Sequence, residues 1–241
     1  MSGLSSGRII VTDVPRPPLA QLDQLAAHGV ATVHEALGRV GYLGPDLRPI
    51  QQDARIAGSA VTAVVWPGDN LMIHAAVEQC APGDVLVVAP VSPSSDGYFG
   101  ELLATSLISR GVRGLIIDAG VRDTAELREM GFPVWSRHVS AQGTVKATAG
   151  AVNVPVVVGG QTVCPGSAIL ADDDGVLTVP ARDLPRALEA SRAREAKEAA
   201  TRVALAAGEL GLDRYNLRPL LKDLGVEYVS YQQYLDSERP S

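Results

Sequence analysis

The chain reads as an α/β protein with a helical C-terminal extension. Three observations predict this. Strand-like and helix-like segments alternate between residues 55 and 137. Short strands punctuated by Gly and Pro fill 138–180, and one long charged helix follows over about 184–207.

The elements follow in order. PRPP (15–18) marks an extended entry. Residues 18–38 have helical spacing interrupted by Gly29, so two helices are expected, with Thr32 capping the second. RIAGSAVTAVV (55–65) has strand character, PGD (67–69) turns the chain, and NLMIHAAVEQC (70–80) reads as an amphipathic helix. APGD (81–84) ends it, and VLVVAPV (85–91) is a buried strand. SPSSDGYFG (92–100) is a loop and ELLATSLISR (101–110) a helix closed by Gly111. VRGLIID (112–118) is a strand, AGVRD a loop, TAELREM (124–130) a short helix and FPVWSR (132–137) another strand. GTVKATAG, VNVPVVVGG, CPGSAILA and GVLTVP are short strands with no helix between them.

Asp183 and Pro185 open the long helix, which is dense in charge (Arg192, Arg194, Glu195, Lys197, Glu198, Arg202) and thin in large apolar residues. Such a helix gains little from packing on its own domain, so it is expected to reach over a neighbouring subunit. The division is therefore drawn at 182, with a core over 1–182 and an extension over 183–241. The tail after Val229 is expected to be loosely ordered.

Bulk properties narrow the function. The 241 residues are 46% hydrophobic, enough for a sizeable core. A net charge of −6, no basic run and only 4% aromatic residues argue against a nucleic-acid partner. No apolar run approaches a membrane span, and the start lacks the pattern of a signal peptide, so a cytoplasmic location is expected. Cys80 and Cys164 have no CxxC partner and are expected to be buried small apolar residues.

The chemistry-bearing pattern is Glu101, then a gap from Leu102 to Val121, which is 121 − 102 + 1 = 20 residues, then Arg122-Asp123. An Asp can hold a hard divalent cation, and an Arg can clamp a carboxylate or stabilise an enolate. A second acid can hold a metal-bound water. Each residue also has a plainer reading. Asp123 with Glu126 makes a capping-box-like pattern, Arg122 could be a solvated loop residue, and Glu101 could simply favour its helix dipole. The pair does follow a buried strand, where α/β folds bind ligands. Gly100, Leu102 and Leu103 lie at a helix start whose free N–H groups suit a substrate carboxylate.

Other motifs carry less. DDDG (172–175) lacks the spacing of a calcium loop and reads as a tight turn. The four histidines show no metal-ligand spacing; His34 and His74 could face a cleft. Of the three lysines, only Lys146 is a Schiff-base candidate, which favours a metal over a lysine for enolate chemistry.

The segments PGDNLMIHAAVEQCAPGDVLVV, SPSSDGYFGELLATS, RGLIIDAGVRDTAEL, FPVWS, AQGTVKAT, NVPVVVGG, ADDDGV and AAGELGLDRY together resemble the 4-carboxy-4-hydroxy-2-oxoadipate / 4-hydroxy-4-methyl-2-oxoglutarate aldolases. These are class II pyruvate aldolases of aromatic-acid catabolism, within a superfamily that includes regulators of ribonuclease activity. The resemblance implies an α-β-β-α sandwich similar to swivelling phosphohistidine domains, and trimers or hexamers. It implies Mg²⁺ or Mn²⁺ held directly by Asp123, pyruvate bound by Arg122 and by Gly100–Leu103, and metal water oriented by Glu101 and by Glu198 of an adjacent subunit. Glu195 stands behind Glu198 as a candidate, and an i,i+4 pair with Arg202 is the plainer reading of Glu198. The family pattern usually has Asp at the first position; here it is Glu101, which puts the proton relay in question. The implied substrate is a small oxo-acid. A dedicated oxaloacetate decarboxylase and a non-catalytic ribonuclease regulator remain the alternatives.

Overall fold

A computed structural model describes residues 7–237. The chain divides after Arg194 into two compact units. In the first unit, β1 (Ile9–Ile10) precedes α1 (Leu19–His28) and α2 (Val30–Ala36). Then come β2 (Arg48–Pro49), β3 (Ile56–Val65), α3 (Leu71–Gln79), β4 (Asp84–Pro90) and β5 (Gly97–Phe99). Next are α4 (Glu101–Ser109), β6 (Gly114–Val121), α5 (Thr124–Glu129) and β7 (Val134–Val139). Five short strands follow: β8 (Ala151–Val152), β9 (Val156–Val158), β10 (Gln161–Val163), β11 (Ala168–Asp172) and β12 (Gly175–Val179).

The fold is mixed α/β. Among the described residues, ten strands form one sheet along the path β1-β8-β3-β4-β6-β7-β2; β11 joins β3, β12 joins β11 and β5 joins β6. The central strands β3, β4, β6 and β7 are parallel. Parallel strands are covered on both faces, which explains the near-continuous apolar run of VLVVA. Side chains alternate accordingly. Leu86, Val88, Leu115 and Ile117 face a core closed by α3, α4 and α5. Val85, Val87 and Ile116 face a second core with Leu43, Trp135, Val158 and Ile169. A third core packs Leu22, Leu25 and Val33 against Ala168, Leu170 and Leu177 of the β11–β12 hairpin.

The long helix α6 runs Leu184–Ala206. Leu184, Ala187 and Leu188 join the third core, so the first compact unit extends past the expected division at 182. Three short helices follow in the second unit: α7 (Gly211–Arg214), α8 (Arg218–Asp223) and α9 (Tyr231–Ser237). The last stands where a loose tail was expected. Its cause is a capping box: Ser230 N donates to Gln233 Oε1 at 2.8 Å, and Gln233 N to Ser230 Oγ at 3.2 Å.

Two other expectations are corrected. Thr32 lies inside α2 and does not cap it. The N–H of Val30 instead donates to Asp172 Oδ2 at 2.8 Å, a cap supplied from 142 residues away. Asp172 opens the DDDG turn, which joins β11 to β12 with Asp172 opposite Gly175. Of the cysteines, Cys80 is buried and Cys164 is exposed. Burial, reinforced by Asp84, pushes the Cys80 thiol up to about 12, so it is inert as a nucleophile.

Candidate active site

Arg122 and Asp123 follow directly on β6, at the carboxyl end of a parallel strand. Strand β5, unseen in the sequence, binds them to α4. It pairs with the end of β6, and Arg122 N donates to Phe99 O at 2.9 Å. Gly120 has no Cβ because the backbone of Ser95 and Asp96 crosses where one would stand. This lacing brings the start of α4 against Asp123.

Asp123 occupies the cap position of α5, but its side chain makes no capping bond. Its backbone is left-handed (φ 53°), a conformation Asp tolerates better than most residues. The carboxylate turns instead to α4, where Oδ2 accepts the N–H of Glu101 at 3.2 Å. The capping reading of Asp123 therefore fails on its side chain. Arg122 Nε lies 3.7 Å from the same oxygen. Gly100 has an extended backbone that any residue could adopt, yet a Cβ there would run into Asp123 Oδ2. Space, not conformation, requires glycine at 100.

Glu101 commits its N–H to Asp123, leaving those of Leu102 and Leu103 at the open helix end. The Glu101 carboxylate is held by its own helix, with Oε1 3.1 Å from Thr105 Oγ1. Leu103 is buried, whereas Leu102 is 78% exposed.

A cavity of about 90 Å³ lies beside this corner. Gly100, Leu102, Leu103, Arg122 and Asp123 line one side, and Asn70, His74, Thr144 and Lys146 contribute the rest of its polar lining. Asp69 builds that second wall. Buried to 2% exposure, it accepts the N–H groups of Leu71 (2.9 Å), Ala147 (2.7 Å) and Thr148 (2.6 Å). These bonds, with Asn70 N to Val145 O, tie the Lys146 loop to the start of α3. Burial alone would raise the Asp69 pKa; the backbone donors outweigh it and hold the carboxyl below its ordinary value. Burial, then the charge of Lys146, pushes the His74 imidazole below its ordinary value.

The structure thus gathers five of the expected residues around one cavity. Glu101 sits on the same helix turn without lining it, and Glu198 lies on α6 in the second unit. Lys146 is exposed rather than buried, which removes the desolvation a Schiff-base lysine needs. Asn70 and Thr144 were missed. The signal for Asn70 was its place at the cap of α3, four residues before His74. Among the described residues, no helix is long and apolar enough to cross a membrane.

Residues 30–178 match the family described as RraA-like, Aldolase/RraA. The 4-hydroxy-4-methyl-2-oxoglutarate aldolase of Thermus thermophilus is 35% identical over 127 residues, 53% of this chain and 77% of that protein. A Halalkalibacterium halodurans protein, provisionally given the same name, is 26% identical over 183 residues, 76% of this chain and 87% of its own length. The crystal structure of Streptomyces coelicolor RraAS2, described as an unusual member of the RNase ES inhibitor RraA family, superposes with a TM-score of 0.72 at 27% identity. It covers 79% of this chain and 99% of that one. The chain belongs to the RraA-like family, whose members carry both aldolase and ribonuclease-inhibitor names.

Proposed function

We propose that the protein is a divalent-metal-dependent class II pyruvate aldolase. It cleaves 4-carboxy-4-hydroxy-2-oxoadipate to pyruvate and oxaloacetate, or 4-hydroxy-4-methyl-2-oxoglutarate to two pyruvates, with accompanying oxaloacetate decarboxylation. One observation carries the reading: Asp123 spends its carboxylate on the start of α4 rather than on its own helix, beside Arg122 and at the edge of a cavity.

The donor set fits Mg²⁺ or Mn²⁺. Such ions are held through one or two carboxylates and keep several waters; Asp123 offers one at the cavity edge, and Glu101, on the adjoining helix turn, is the proposed second, acting through water. Among the described residues, no three His, Cys, Asp or Glu side chains gather into a protein-only cage, as a zinc site would require. In this reading Asp123 holds the ion directly, and Glu101 holds it through water. When bound, the ion supplies Lewis-acid polarisation of the C2 keto oxygen.

The residues of the chain do the rest. The N–H groups of Leu102 and Leu103 bind the C1 carboxylate at the positive end of α4. Removal of the C4 hydroxyl proton breaks the C3–C4 bond, and the electrons settle on the C2 oxygen as an enolate. The Arg122 guanidinium stabilises that charge. Glu101 accepts the hydroxyl proton by way of water. Protonation at C3 gives pyruvate. Oxaloacetate yields the same enolate by losing CO₂, so both activities share one site.

A trimer or hexamer, with Glu198 contributed by an adjacent subunit, completes the proposal. Its support is the second unit, where Leu210, Tyr215, Leu220, Leu224 and Tyr228 are all exposed. The likeness to RraAS2 motivates the second reading, a non-catalytic ribonuclease regulator. Pyruvate release from both hydroxy-oxo acids, measured with Mg²⁺ and then with EDTA, tests the proposal, with oxaloacetate decarboxylation followed in parallel. Metal-dependent cleavage lost in Asp123→Ala supports it. Decarboxylation without cleavage moves the assignment to a dedicated decarboxylase, and silence in both favours the regulator.

A further inference from the structure

Asn70 is 7% exposed and lines the cavity, and its side-chain Oδ1 is buried with no hydrogen-bond partner. Its Nδ2 donates to Tyr98 O at 2.9 Å. That bond sets the orientation of the amide, because the flipped form would oppose two carbonyl oxygens. Backbone neighbours hold the residue in place: Asn70 N donates to Val145 O at 2.9 Å, and Asn70 O accepts the N–H of Ile73 at 3.0 Å. A buried acceptor without a partner is costly, and native proteins retain one where a ligand or water completes it.

Asp123 apart, whose carboxylate is assigned to the metal in the proposed function, the charged groups of the wall are donors. Arg122, Lys146 and the open N–H groups of α4 all suit carboxylates and keto oxygens. Asn70 Oδ1 needs the opposite, a donor. At neutral pH a hydroxy-oxo diacid has ionised carboxylates and a keto group, which only accept. Its single donor is the hydroxyl on C4. Oxaloacetate and pyruvate, as keto acids, have none.

We infer that Asn70 Oδ1 accepts the C4 hydroxyl of the substrate, making Asn70 the residue that selects hydroxylated aldol substrates over plain oxo-acids. An amide is no base, so Asn70 orients the hydroxyl and another group takes its proton. This assignment rests on the aldolase reading and deepens it. Lys146, tied beside Asn70 by the Asp69 bonds, supplies positive charge for a carboxylate beyond C4.

The test compares reactions that do and do not involve the hydroxyl, in the metal-loaded full-length protein. Wild type is assayed first for cleavage of 4-hydroxy-4-methyl-2-oxoglutarate, for oxaloacetate decarboxylation and for deuterium exchange at pyruvate C3. In Asn70→Ala, kcat/KM for cleavage is expected to fall about tenfold or more relative to the other two reactions. Equal losses in all three overturn the inference and leave the aldolase reading standing. A wild type silent in all three overturns both. If Asn70→Ala does not fold, 4-methyl-2-oxoglutarate, the substrate without its hydroxyl, decides the matter on wild type. An inhibition constant at least tenfold above the KM of the hydroxylated compound supports the inference. An inhibition constant equal to that KM overturns it.

Discussion

The backbone N–H of Glu101 and the carboxylate of Asp123 meet at 3.2 Å across 22 residues of sequence. This bond joins the start of α4 to the end of β6 and aims an acid that would otherwise cap α5. Substitutions around it separate chemistry from folding.

Asp123→Asn keeps an acceptor for Glu101 N and a residue type that tolerates φ 53°. The fold is expected to survive while the charge is lost. Metal-dependent pyruvate release should drop roughly a hundredfold or more, with the far-ultraviolet circular dichroism unchanged.

Arg122→Lys keeps the charge and loses the planar fork. A fall in kcat of about a hundredfold is expected, larger than any rise in KM, because the guanidinium acts on charge that develops in the transition state. Steady-state kinetics with both hydroxy-oxo acids checks this.

Gly100→Ala adds a Cβ against Asp123 Oδ2 at an unstrained backbone position. Activity should suffer more than stability. A thermal midpoint near wild type with turnover strongly reduced is the expected pair of results; a collapsed midpoint with normal specific activity would contradict it.

Asp69→Asn removes a buried charge that accepts three backbone N–H groups. The cost is about 1–3 kcal/mol, with the Lys146 loop loosened first. The folded Asp69 value lies below its ordinary 3.8, so its contribution is complete above that pH and is lost as pH falls through the folded value. Urea unfolding at pH 7 and below pH 4 should show a smaller acid-induced loss in the variant than in wild type.

His74 titrates below 6.5, first because of burial and then because of Lys146. As pH drops through 6.5 the unfolded chain takes up a proton that the folded chain resists, so stability declines until the folded value is passed. Lys146→Met should raise the His74 value, read from its imidazole resonances by NMR titration.

Much of this was legible in the residues. Apolar runs and alternation located the central strands, because burial on both faces leaves a compositional trace. Arg122-Asp123 stood out through their place after GLIID. The strands β1, β2 and β5 left too little pattern to see, being two or three residues long. The cap on α2 was assigned to Thr32, since sequence reasoning looks for caps nearby, and Asp172 supplied it from the far hairpin.

By itself the sequence determined the α/β class, the charged long helix, the acid–Arg–Asp spacing and the family resemblance, all of which are local or periodic properties. The tertiary structure decided where the Asp123 carboxylate points, which loop Asp69 ties down, and that Asn70, His74 and Lys146 share one cavity with Arg122. The reason is physical. Periodicity reports which side of an element is buried, whereas a site forms where distant chain segments meet, and those meetings depend on strand register and on buried hydrogen bonds that leave no periodic mark.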